Sequence, residues 1–205
     1  MPRILALVAV LTACAGSRRP LLAPYSPSVE APATRPRIMT DVLDPSAAFL
    51  GLPSLATVSL PPDVREIRLS TGHGMILGAE YPLIRIVAGP DGVRGEIIRF
   101  RGIMEARDSS RPTVRLSARI VAPRENVDWR QLLQTLDSLG VETFIPPVYT
   151  NAIMDAGDLT VEVRRGRAYR AYEVNAPGSR RDSISARAAG MAGLVYFLER
   201  QTRGY

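Results

Sequence analysis

The chain has 205 residues, 46% of them apolar, with 26 basic residues against 20 acidic ones and a formal charge of +6. A single cysteine excludes an internal disulfide, and a single histidine excludes a histidine-rich metal centre. Every basic residue is arginine, and the arginines are interspersed with acids along the chain, so the charge defines no massed basic arm.

The N-terminus is built like an export signal. Arg3 supplies a positive start, and Ile4 to Leu11 is an unbroken apolar run, far short of the ~20 residues needed to span a bilayer. It ends in Leu11-Thr12-Ala13-Cys14: an aliphatic residue, two small residues and the one cysteine. This segment resembles the lipobox of bacterial lipoproteins. The resemblance implies that Cys14 is alkylated by a diacylglyceryl group, that cleavage follows Ala13, and that the new terminus is acylated. A thiolate is the best nucleophile present to take the lipid. One chain holds a membrane only marginally, whereas two or three on one residue make the attachment effectively permanent. Ala15 stands where an aspartate would resemble an inner-membrane retention signal, so the expected location is the periplasmic face of an outer membrane.

Residues 14–62 read as the lipidated cysteine and a tether, with prolines at 20, 24, 27, 32 and 36 and no apolar period. From Ile38 to Leu60 the segment grows more apolar and can lie against a domain. Pro45, Pro53, Pro61 and Pro62 oppose long regular structure there. The folded domain is drawn at 63–205, behind a signal peptide at 1–13.

Within the domain, Val64–Ser70 is a strand. Pro82–Ala88 and Arg94–Arg101 form a hairpin around the turn Gly89-Pro90-Asp91-Gly92. Val114–Val121 alternates Val114, Leu116, Ala118 and Ile120 with Arg115, Ser117 and Arg119, as a strand with one buried and one wet face does. Asp128–Leu139 is a helix with Trp129, Leu132, Leu133, Leu136 and Leu139 on one stripe. Asp128 caps it, and Gly140 ends it. Leu159–Arg164 and Ala168–Val174 form a second hairpin about Arg165-Gly166. Ser183–Arg200 is a second helix, with Ile184, Ala188, Met191, Val195 and Leu198 on one stripe and Asp182 or Ser183 as its cap. The order ββββ-α-ββ-α predicts an α+β fold: an antiparallel sheet of about six strands with two amphipathic helices on one face.

Three groups are candidates for chemistry. His73, between two glycines, can act as a general base with Asp155 or Asp158, which would make the chain an envelope hydrolase. The aspartates lack the ligand density of a calcium loop. Arg164, Arg165, Arg167 and Arg170 surround the second hairpin turn, interleaved with Tyr169 and Tyr172; behind a lipoprotein signal they point to an anionic glycolipid rather than nucleic acid. No Gly-x-Ser-x-Gly, P-loop, paired-cysteine or His-Glu-x-x-His pattern occurs, and no cofactor or metal is expected. The order of Asp91-Gly92, Phe144 and Asp155 also resembles a class of bacterial envelope domains, a likeness that implies no activity and no site. The expected function is therefore a membrane-anchored binding or scaffolding lipoprotein. Its partners would be the membrane, through Cys14, and an envelope protein, a cell-wall polymer or an anionic glycolipid.

Overall fold

The computed structural model describes residues 26–27, 43–72, 80–105, 113–123, 125–146, 157–179 and 181–202. It is an α+β fold. The elements are β1 (Ser26–Pro27), α1 (Asp44–Phe49), β2 (Val58–Ser59), β3 (Arg65–Thr71), β4 (Glu80–Gly89), β5 (Gly92–Glu105) and β6 (Thr113–Val121). They continue with α2 (Trp129–Ser138), β7 (Asp158–Arg165), β8 (Ala168–Asn175) and α3 (Ser183–Arg200). Six strands make one open antiparallel sheet in the order β6-β5-β4-β3-β7-β8. Strand β3 is the seam: β4 pairs with one side of it and β7 with the other, and all seven of its residues are buried.

The strand period sorts side chains between two faces. One face carries Ile67 and Leu69 of β3, Ile84 and Ile86 of β4, Ile97 of β5, and Leu159, Val161 and Val163 of β7. These cluster with Leu132, Leu133 and Leu136 of α2 and with Ala188, Met191, Ala192, Val195 and Leu198 of α3. Both helices start as their sequences dictate. The Asp128 carboxylate accepts the Gln131 N–H at 3.0 Å, and the Asp182 carboxylate accepts the Ser185 N–H at 2.7 Å. Past α2, Gly140 has φ +72°, the left-handed conformation that ends a helix cheaply only at glycine. Ile184 departs from the expected stripe and is 40% exposed. Ser185 holds the buried place in that first turn, its hydroxyl 3.3 Å from the capping Asp182.

The other face is covered too, and here the expected tether boundary moves. Residues 43–60, drawn within the 14–62 segment but apolar enough by sequence to lie against the domain, are packed. Leu43, Ala47 and Leu52 are buried with Leu83, Ile98 and Phe100, and Leu55 and Ala56 are fully enclosed. Helix α1 begins with a proline in its first turn, where the missing N–H costs nothing, and lies beside β6. The segment ends at the opposite side of the sheet, where the Leu60 N–H donates to the Gly166 carbonyl in the β7–β8 turn at 3.0 Å. Residues 43–60 thus form a strap across the sheet. The packed domain begins no later than Leu43, because the β4–β5–β6 part of this face is apolar and must be removed from water.

A close approach sets the position of α2. The Trp129 ring lies on Gly95 of β5, so that a Cβ at that position would come within 2.1 Å of the ring. Replacing Gly95 by alanine therefore forces the ring off the sheet. Urea unfolding should show a loss of about 1–3 kcal/mol, the usual cost of overpacking; an unchanged midpoint would show that α2 is not held there.

Candidate functional site

Under the strap, the central strands present charge instead of hydrocarbon. Glu66, Arg68, Arg85, Glu96, Glu162 and Arg164 share the strap-side face, as the pairings Arg68↔Arg85, Arg85↔Glu96, Arg68↔Glu162 and Glu66↔Arg164 require. All six are buried, with Arg85 and Arg164 at 0% exposure. Three guanidinium groups and three carboxylates balance formally. Burial of each is tolerable only with partners, since an isolated ion in this medium costs several kcal/mol.

Most of these groups have partners within the row. One Glu66 oxygen accepts from Arg68 Nε at 2.8 Å and from Arg85 Nε at 2.8 Å, and the other accepts from Arg85 Nη2 at 3.1 Å. Arg85 Nη1 reaches Glu96 at 2.8 Å. The Tyr169 hydroxyl donates to Glu162 Oε1 at 2.6 Å. The Arg164 Nε, Nη1 and Nη2 are all buried without a hydrogen-bond acceptor, and the Tyr169 ring lies 5.7 Å from its Cζ. Burial pushes the Arg164 guanidinium below its ordinary pKa, partly offset by Tyr169.

Elsewhere arginines pin helix ends to the sheet. Arg65 forks onto Asp137 at 2.7 and 3.0 Å and onto Glu142 at 2.6 Å. Burial alone would lower its pKa, but these acceptors carry it above the ordinary value. Arg99 reaches Glu80 at 3.1 Å, Thr202 Oγ1 at 2.8 Å and the Glu199 carbonyl at 3.3 Å. Arg187 Nε donates to the Leu139 carbonyl at 2.8 Å. Cations at helix C-terminal carbonyls also meet the negative end of the dipole.

The arginine–tyrosine set singled out by sequence does not form one surface. Arg164 and Tyr169 face the strap. Arg165, Arg170 and Tyr172 belong to the helix-covered side, where Arg165 pairs with Glu142 at 2.9 Å and Arg170 donates to the Phe144 carbonyl. The Tyr172 hydroxyl is buried, donating to the Val141 carbonyl at 3.0 Å, and burial pushes its pKa well up. Arg167 is exposed in the turn. Asp158 starts β7 and accepts from Asn175 Nδ2 at 2.7 Å; burial raises its pKa despite that bond. Cys14, His73 and Asp155 lie outside the described residues, so the pairing of His73 with either aspartate does too.

Glu66, Arg68, Arg85 and Glu96 are absent from the sequence-derived candidates. Their signal was present: Arg85 interrupts the continuous run Leu83-Ile84-Arg85-Ile86-Val87, the pattern of a strand buried on both faces. Two described grooves flank the sheet without touching the buried charges other than Glu96. One, of about 800 Å³, lies between the end of β6 and Trp129. The other, of about 330 Å³, is lined by Asp63, Arg65 and Arg165. Compared with known proteins, the chain matches no family model and no curated protein.

Two measurements test this description. Glu66→Gln leaves two buried guanidinium groups without their shared carboxylate, and unfolding free energy should fall by about 3–5 kcal/mol. Asp158 has a folded-state pKa raised above its unfolded value, so its contribution is complete at acid pH and is lost as pH rises through the folded value. Asp158→Asn should therefore gain stability relative to wild type with rising pH through the carboxylate range; a pH-independent difference would contradict the assignment.

Proposed function

We propose that this chain is a cell-envelope lipoprotein whose α+β domain is a binding or scaffolding module held to a membrane by lipid on Cys14. The observation that carries the reading is the sequence Leu11-Thr12-Ala13-Cys14 directly after the apolar run Ile4–Leu11. The fold is compatible with that role. The strap begins at Leu43, and Ser26–Pro27 (β1) pairs with its strand β2 (Val58–Ser59). Among the described residues, apolar side chains on both faces of the sheet are buried within the domain. An outer-membrane position facing the periplasm follows from Ala15 in place of a retention aspartate. The partner is an envelope protein, a cell-wall polymer or an anionic glycolipid.

Expressed in a bacterium with lipoprotein processing, the full chain should partition into detergent. Its N-terminal peptide should begin at Cys14 and carry the mass of a diacylglyceryl group and an amide-linked acyl chain. Cys14→Ala should remain an uncleaved precursor. An intact Met1 terminus with a bare thiol, in protein from the soluble fraction, would defeat the proposal.

A further inference from the structure

The charged face contains a donor set with no acceptor. Arg164 is fully enclosed, and all three of its guanidinium nitrogens lack a hydrogen-bond partner. Of the carboxylates nearest in register, one is shared by two other arginines and the other accepts a tyrosine hydroxyl on a single oxygen. Glu66, directly across the β3–β7 pair, receives Arg68 on one oxygen and Arg85 on both. Glu162, two residues earlier on the same face, receives the Tyr169 hydroxyl. The Thr160 hydroxyl, farther along that face, is likewise buried with no partner. A guanidinium is a planar fork matched to two oxygens of one group. Buried and unanswered, it is an expense that folding alone does not explain.

We propose that Arg164 is the anchoring residue of a buried oxyanion site on the strap-side face, taking a carboxylate or phosphate group of a ligand in bidentate fashion. Tyr169 forms one wall, its ring against the guanidinium and its hydroxyl fixed by Glu162. The Leu60–Gly166 bond ties the strap to the β7–β8 turn that follows Arg164 and Arg165, so on this proposal a ligand enters when that tie opens. The site names a ligand class for the binding module proposed above and rests on the domain being such a module, but not on the lipid anchor.

The test is thermal unfolding of the full chain at constant ionic strength, with inorganic phosphate or acetate replacing chloride. Phosphatidylglycerol vesicles, with phosphatidylcholine vesicles as reference, separate a lipid headgroup from a free anion. Binding only to the folded state raises Tm with the logarithm of anion concentration, by about 2–4 °C per ~1 kcal/mol of linkage, reached at several-fold excess over Kd. Arg164→Met should abolish the rise and should itself raise Tm without anion, because it removes an unanswered buried charge; Arg167→Met, at an exposed position, should change neither. If Arg164→Met fails to fold, native mass spectrometry of the wild type should still count one bound phosphate. No rise above chloride with either anion or with the anionic vesicles, or an equal rise in Arg164→Met, would overturn the site. None of these readouts depends on processing at Cys14, so the two proposals fail separately.

Discussion

The carboxylate of Glu66, held between two buried guanidinium groups, is the contact on which the rest of the sheet depends. It lies on β3, the strand that joins both hairpins, and it fixes Arg68 of the same strand and Arg85 of β4. Such a network adds little net stability, because attraction roughly repays desolvation. What it does specify is alignment. A slip of β4 by one residue would turn Arg85 to the opposite face, among Ile67, Leu69 and the apolar sides of α2 and α3, and would turn Ile84 and Ile86 onto the charged face.

The same constraint explains why the strap exists. A charged row in water would need no cover, but the neighbouring Leu83, Ile98 and Phe100 do. The hydrocarbon at the β4–β5–β6 end draws α1 onto the sheet, and the connection from there to Leu60 then runs over the charged end. Arginine suits this arrangement and lysine would not. One guanidinium on Arg85 bridges two carboxylates, and one on Arg99 holds a hydroxyl, a carbonyl and a carboxylate together.

Much of the scaffold was legible from residue order. Strict alternation in Leu159–Arg164, the Pro90-Asp91 turn flanked by glycines, and the Asp128 and Asp182 caps are local signals, and local signals survive folding. That Ile38–Leu60 could lie against the domain was legible from its apolar residues, but nothing near Leu43 or Leu52 says which distant surface receives it. The charged face was missed for a related reason. Thr160, Glu162 and Arg164 are the ordinary polar half of an alternating strand, and polar halves usually meet water. Here they are buried instead, and a segment more than 100 residues away is bonded to the adjoining β7–β8 turn. The arginine hairpin was misleading in the opposite sense: adjacent positions on a strand point to opposite faces, so Arg164 and Arg165 never share a surface.

The placement of β3 has a kinetic corollary. Its pairing with β4 closes a short loop, but its pairing with β7 joins Arg65 to Arg165, and the Leu60–Gly166 bond spans a similar distance. Contacts that far apart form late, because the closure entropy of the whole intervening chain precedes any reward. Until the last third of the polypeptide has emerged, Glu66 and Arg68 of β3 lack the cross-strand neighbours Arg164 and Glu162 that flank them in the finished sheet.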